Sequence, residues 1–170
     1  MPAVLSKTDI LRLMQAMPPL IEGCIDLESQ LQPNGIDVTL RDIARLETSG
    51  VISVTNAGRS IPSTTLLQFD RQAFIDLAPQ AYLITYNEVV NLPNNVMALA
   101  RPRSSLLRCG VTVETAVWDA GYSGRSQSLL VVHNPRGFRL QKDARVAQLV
   151  FFNLTGVTDG YRGIYQGENL

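Results

Sequence analysis

Punctuation constrains this chain more than any other feature. From residue 33 to 153, short runs rich in β-branched and aromatic residues alternate with turn residues. The breaks are Pro-Asn-Gly at 33–35, Leu-Pro-Asn-Asn at 92–95, Ala-Gly-Tyr-Ser-Gly at 120–124 and Asn-Pro-Arg-Gly at 134–137. Between them, Val51–Thr55, Ala81–Val90, Val96–Ala100, Val111–Trp118, Ser128–His133 and Arg145–Asn153 read as strands. Many short strands with regular turns predict a mainly β fold, an antiparallel sandwich or barrel. Two helices are expected within it. Ser6 and Asp9 form a capping box for an amphipathic helix over about 6–17, with Ile10, Leu13, Met14 and Met17 on one face and Pro18-Pro19 as its stop. A shorter helix is expected at Ser104–Arg108.

No repeat, low-complexity tract or linker divides the chain, so residues 1–170 read as one domain. The stretch from 155 to 170 is rich in glycine and polar residues and should be mobile unless something pins it. Lys+Arg and Asp+Glu both number 15. No global basic field therefore exists to hold a nucleic-acid backbone, and an anionic ligand needs a local cluster. The apolar runs are far too short to span a bilayer. Cys24 and Cys109 form no CxxC pair, and no signal-peptide pattern opens the chain, so a cytoplasmic protein is expected.

His133 is the only histidine. Serine or cysteine nucleophile machinery would have to run through it, and its apolar strand reads as structural. The GxSxG elbow, the GxxxxGK[ST] loop and the H-x-E with P-C-x-x-C zinc signature are all absent. Carboxylate chemistry remains. In Arg101-Pro-Arg-Ser-Ser-Leu-Leu-Arg108, Arg103 with Ser104 and Ser105 at a helix start suits phosphate oxygens, although Ser104 could be only a cap and Arg103 only a surface charge. Asp119 stands at the end of a strand before a tight turn, where it could polarise a water or merely shape the turn. Arg145 and Gln148 supply donors on an alternating strand, Asp37 follows a turn, and Arg162-Gly-Ile-Tyr-Gln-Gly167 could fold over a ligand.

The order and wording of these segments resemble the conserved segments of the trimeric dUTPase and dCTP deaminase family. Pro33-Asn-Gly-Ile-Asp-Val38 resembles the first, Arg101-Pro-Arg-Ser-Ser-Leu106 the second, and Val117-Trp-Asp-Ala-Gly-Tyr-Ser-Gly124 the third. Arg145-Val-Ala-Gln-Leu-Val150 resembles the fourth, and Arg162–Gly167 the glycine-rich tail. The match spans about residues 32–167, and the archaeal-type members look closest.

The resemblance implies a distorted β-barrel or jelly roll assembled as a homotrimer, with sites at subunit interfaces. It implies hydrolysis of dUTP to dUMP and pyrophosphate, with Mg²⁺ held mainly by the substrate phosphates. Asp119 would be the base that activates water, and Arg103, Ser104, Ser105, Arg145, Gln148 and Arg162 would bind phosphate. Val113, Thr115, Tyr122, Tyr165, Gln166 and Gly167 would meet the nucleoside, with Tyr122 under the deoxyribose. Asp37 would support a metal-water network.

Two departures, the Tyr165-Gln166-Gly167 wording of the tail and Arg108, lean towards the deaminases. Those relatives need a glutamate where this chain has Leu129, and no acid occurs from Ala120 to Lys142. The resemblance therefore favours dUTP hydrolysis, with dCTP deamination, a bifunctional enzyme, or a non-catalytic nucleotide-binding regulator as alternatives.

Overall fold

The computed structural model describes residues 3–170. In chain order the elements are α1 (Lys7–Met14), β1 (Ile21–Glu22), α2 (Leu27–Gln30), β2 (Leu31–Gln32), β3 (Gly35–Leu46), β4 (Thr64–Leu66), β5 (Phe74–Leu77) and β6 (Ala81–Tyr86). They continue as β7 (Val89–Asn91), β8 (Val96–Pro102), α3 (Ser104–Arg108), β9 (Val111–Glu114), β10 (Ser123–Gly124), β11 (Gln127–Val132), β12 (Phe138–Gln141) and β13 (Arg145–Asn153). The main sheet runs β8-β13-β3-β6-β11-β9, with β2 and β4 also on β3, and a smaller sheet runs β1-β7-β10. Every pairing within them is antiparallel. Helix α3 joins the two end strands, β8 and β9, which touch, so the sheet curls into a nearly closed barrel. The mainly β barrel expected from the sequence is what the chain forms.

The interior is apolar because alternate positions face inward. Ile36, Val38, Leu40, Ile43, Ile84, Leu130, Leu149 and Phe151 are all buried. Helix α1 closes one end with Ile10, and its Ser6 and Asp9 cap each other as expected. It stops at Met14, short of the expected residue 17. The Gln15 N–H turns back to Arg12 and Leu13 carbonyls, and Met17 points away at 91% exposure. The expected strand Val51–Thr55 does not form. Val51 makes one bridge to Ser60, and Ile52 and Val54 stand exposed because no neighbouring strand reaches them. The Ala81–Val90 run breaks at Asn87 and Glu88 into β6 and β7, and the Val111–Trp118 run leaves the sheet after Glu114.

That break at residues 87 and 88 has a physical cause. Glu88 is fully buried. Its carboxylate accepts from Thr39 N at 2.9 Å, Thr39 Oγ1 at 2.6 Å and Gln30 Nε2 at 2.7 Å. Gln30 Nε2 also donates to the Asp37 carbonyl at 2.8 Å. A buried carboxylate costs several kcal/mol unless donors replace water, and here they tie the β6–β7 turn to β3.

Burial pushes the Glu88 carboxyl above its ordinary 4.5, while the bonds from Thr39 and Gln30 pull it down. A raised value means that the folded chain keeps a proton the unfolded chain has lost. Glu88's contribution to stability is thus complete below about 4.5 and is lost as pH rises through the folded value. Thermal melts of the wild type and Glu88→Gln across that range should show the difference, Tm of wild type minus Tm of variant, falling as pH rises. A constant difference would mean that Glu88 does not titrate above its ordinary value in the fold.

Candidate functional site

One face of the main sheet gathers most of the polar residues singled out above. In an ideal strand, Arg145 and Gln148, three apart, would point to opposite sides. A bulge between Arg145 and Ala147 prevents this by turning Val146 and Ala147 inward together. Arg145 then lies opposite Thr39 and Gln148 opposite Asp37 on β3, while Gln148 faces Arg101 on β8. Arg103, two positions beyond Arg101, falls on the same side. Gly35 permits the close approach here, since a Cβ at that position would sit 2.3 Å from the Leu149 carbonyl and 2.9 Å from Gln148 Nε2.

Asp37 is the hub of this face, with its side chain only 2% exposed. Its Oδ2 accepts from Arg103 Nε at 3.1 Å, Arg145 Nη1 at 3.3 Å and Gln32 Nε2 at 3.4 Å. Arg145 is further held by the Ser29 carbonyl. Burial pushes the Asp37 carboxyl up, and Arg103 and Arg145 pull it back. Two guanidinium groups, each about a third exposed, face one shared buried carboxylate, so the cluster keeps a net positive charge towards solvent. Beside it α3 begins, with Ser104 and Ser105 exposed. The first N–H groups of a helix have no partner within it, and with the two hydroxyls they give this corner the donors of an anion site.

The second group of candidates lies elsewhere. Asp119 is exposed and lines a cavity of about 470 Å³ with Trp118, Tyr122, Ser126, Tyr161, Tyr165 and Glu168, among others. Trp118 bridges to Ala98 in antiparallel sense, which sets Asp119 towards Met97. Met97 and Arg103 are separated by roughly 20 Å of extended chain at about 3.3 Å per residue. Within one chain Asp119 therefore does not meet Arg103, Ser104 and Ser105.

The remaining candidates divide between surface and interior. Val113 is buried in the core, so only its backbone can meet a ligand, and Thr115 follows the end of β9, half-buried. Tyr122 is buried under the cavity with its hydroxyl pushed up by burial. Arg162 is exposed.

The tail from 155 to 170, expected to be mobile unless pinned, is pinned. The Tyr161 N–H donates to the Ala120 carbonyl at 2.8 Å and the Gly167 N–H to the Ser123 carbonyl at 2.8 Å. Gln166 accepts from Ser123 N at 3.1 Å and donates to the Gly121 carbonyl at 3.1 Å. Gly121, at φ 83°, lets Gly160 pass so close that a Cβ would sit 2.6 Å from its Cα. Gln166 and Gly167 thus hold the tail in place, while Tyr165 lines the cavity.

Sequence reasoning overlooked Glu168, Ser126 and Tyr161 in this cavity. Residues 120–142 hold no acid, and the one that lines the cavity beside Asp119 arrives from the far end of the chain. The signal available was a glutamate next to the Tyr-Gln-Gly wording of the tail.

Among the described residues no group of three or more His, Cys, Asp or Glu side chains is placed to hold a metal. Asp37 gives Oδ2 to its arginines, so the donor set fits a cation that arrives already bound to phosphates better than a protein-built cage. No helix among the described residues is long and apolar enough to cross a membrane.

The chain is similar to several known proteins. A family model described as dCTP deaminase-like matches residues 4–154. A probable deoxyuridine 5′-triphosphate nucleotidohydrolase of Methanosarcina mazei is 49% identical over 168 residues, covering 98% of each chain. Its counterpart from Methanosarcina barkeri is 50% identical over 167 residues, again 98% of each. Among solved structures, the 2′-deoxycytidine 5′-triphosphate deaminase of Agrobacterium tumefaciens superposes with a TM-score of 0.67 at 20% identity. It covers 89% of this chain and 48% of its own, a likeness of fold alone.

Proposed function

The chain belongs to the dCTP deaminase-like family, and from that premise we propose that it hydrolyses dUTP to dUMP and pyrophosphate as a single cytoplasmic domain. The observation that carries this reading is the bulge-aligned face, where Arg103, Arg145 and Gln148 surround Asp37 next to the exposed Ser104–Ser105 turn. Near-full-length relatives bearing the dUTP nucleotidohydrolase name support the choice of nucleotide.

A triphosphate repels an approaching nucleophile, so its charge must be offset before water can reach phosphorus. Arg103 and Arg145 supply fixed positive charge, and Ser104, Ser105 and Gln148 donate hydrogen bonds to phosphate oxygens. Arg162, carried on the tail, adds a further cation. Mg²⁺ held mainly by the nucleotide's own phosphates would supply the remaining neutralisation. Asp37 holds both arginines in place and shares the water network around the phosphates.

Asp119 takes a proton from water, whose oxygen bonds to the α-phosphorus while the bond from that phosphorus to the leaving pyrophosphate breaks. Tyr122 carries the sugar, and Val113 and Thr115 meet the base through their backbone, with Tyr165 on the tail above. The separation of roughly 20 Å within one chain makes this work only between copies. One subunit brings its Asp119 cavity to another's Arg103 face, which supports a closed homotrimer with sites at its interfaces.

Incubation with Mg²⁺ and dUTP should yield dUMP and pyrophosphate, and chelation by EDTA should reduce turnover to background. Retained turnover in EDTA would remove the metal from the reaction. Absence of dUMP with the metal present would overturn the assignment.

One observation keeps a second reading in view. Glu114 lies directly opposite Leu129 in the β9–β11 pairing, on the same side of the sheet and about 5 Å away between Cβ atoms. It places a carboxylate next to the position where the deaminases resembled here need one. Conversion of dCTP to dUTP or dUMP in the same incubation would support a deaminase role for that residue.

A further inference from the structure

The cavity beside Asp119 contains a hydrogen-bonded series that ends on the tail. Trp118 Nε1 donates to Ser126 Oγ at 2.6 Å, Ser126 Oγ and the Tyr122 hydroxyl lie 2.9 Å apart, and the Tyr122 hydroxyl donates to Glu168 Oε1 at 2.8 Å. An indole nitrogen can only donate, and an ionised carboxylate can only accept. The series therefore runs one way, with the Ser126 hydroxyl donating to Tyr122 and the Tyr122 hydroxyl donating to Glu168. Bonds arranged in one direction strengthen each other.

Glu168 is held in this position by its own backbone. The Arg125 N–H donates to the Glu168 carbonyl at 2.9 Å, and Asn169 Nδ2 donates to the Arg125 carbonyl at 2.9 Å. Together with the bond from Gly167 to Ser123, these contacts add the tail to residues 123–125 as a short strand would be added. The Tyr161 ring stands edge-on to Tyr122, with centroids 5.8 Å apart. About 470 Å³ remains open beside these groups, within the range of small-molecule sites, so Glu168 lines the cavity rather than filling it.

We propose that Glu168 determines sugar specificity by acting through Tyr122: accepting the tyrosine hydroxyl fixes the ring against which a nucleotide sugar packs, and the fixed ring excludes a ribose 2′-hydroxyl. The inference rests on the assignment of Tyr122 to the sugar. A single extra oxygen is a small difference, and a wall that can swing away absorbs it at little cost. A ring anchored at its hydroxyl by Ser126 and Glu168, with Tyr161 at its edge, cannot swing. Discrimination between deoxyribose and ribose then depends on the last few residues of the chain.

The test compares kcat/KM for dUTP and UTP in the wild type, Glu168→Ala, Glu168→Gln, Tyr122→Phe and the Tyr122→Phe/Glu168→Ala double variant. Glu168→Ala should lower the dUTP-to-UTP ratio roughly tenfold, mostly by a gain on UTP. Glu168→Gln keeps an acceptor and should retain most of the ratio. Tyr122→Phe should lose at least as much as Glu168→Ala, since it also gives up the Ser126 bond, and the double variant should lose no more than Tyr122→Phe alone. Truncation after Gly167 should behave like Glu168→Ala, and Trp118, the only tryptophan, reports the state of the series through its fluorescence.

An unchanged ratio in both Glu168→Ala and the truncated chain overturns the inference, as does additivity in the double variant. A gain in dUTP turnover with no change in the ratio would make the tail a block rather than a wall, and overturns it too. A wild type that hydrolyses neither nucleotide overturns the hydrolase assignment and this inference with it. Activity on dUTP with an unmoved ratio overturns the inference alone.

Discussion

Asp119→Asn is expected to lower kcat for dUTP by roughly 10³-fold while leaving KM little changed. The amide matches the carboxylate in shape and still accepts hydrogen bonds, but it takes no proton from water at neutral pH. Nothing nearby can substitute. The chain's only histidine, His133, follows β11 outside the cavity lining, and the other acid of the cavity, Glu168, is engaged by Tyr122. Release of pyrophosphate at saturating dUTP measures the effect directly. Equal release by the wild type and Asp119→Asn would remove Asp119 as the base and leave the catalytic role in this account without an owner.

The second large effect concerns where the two halves of the site come from. Arg103→Ala should also be nearly inactive, because the charge of Asp37 then cancels that of Arg145 and this face is left with no net positive charge for the triphosphate. Asp119→Asn and Arg103→Ala subunits, unfolded together and refolded as a mixture, should nevertheless regain activity. If each site takes Asp119 from one copy and Arg103 from its neighbour, about a quarter of the sites in a randomly mixed ring are intact. Each variant refolded alone stays inactive. A mixture no more active than the two separate preparations would mean that Asp119 and Arg103 act within one chain, against the separation along β8.

Much of this architecture was legible from local pattern. Helix Ser104–Arg108 and strand Arg145–Asn153 lie where their residues place them, because turn residues and apolar runs act over a few neighbours. The twelve-residue strand β3 was harder to see. Its pairing with β6 shifts between Leu40 and Asp42, and a chain that changes inward-facing side partway does not display one alternation. Val51–Thr55 shows the opposite error, since strand propensity without a partner strand leaves Ile52 and Val54 in solvent.

The site was legible as a set of residues but not as an arrangement. That Asp37 gathers Arg103 and Arg145 depends on three strands meeting, which no local window contains. Nor could composition foresee that the tail is fastened to residues 120–125. Glycine and polar residues predict mobility on average, yet here their backbone groups and the side-chain amide of Gln166 make the fastening bonds.

The extra residue in β13 has a consequence for how such a chain can vary over time. With Val146 tucked inward, the guanidinium of Arg145 and the amide of Gln148 share a side only because three residues do the work of two. Losing either Val146 or Ala147 would give a regular strand in which Arg145 and Gln148 stand two positions apart and still share a side, whereas keeping both without the bulge would send one of that pair to the other side. Exchanging Val146 for another aliphatic would disturb little more than local fit. Lineages of this sequence are therefore free to drift in letters along β13, and even to shed the extra residue, but not to keep it in an unbulged strand.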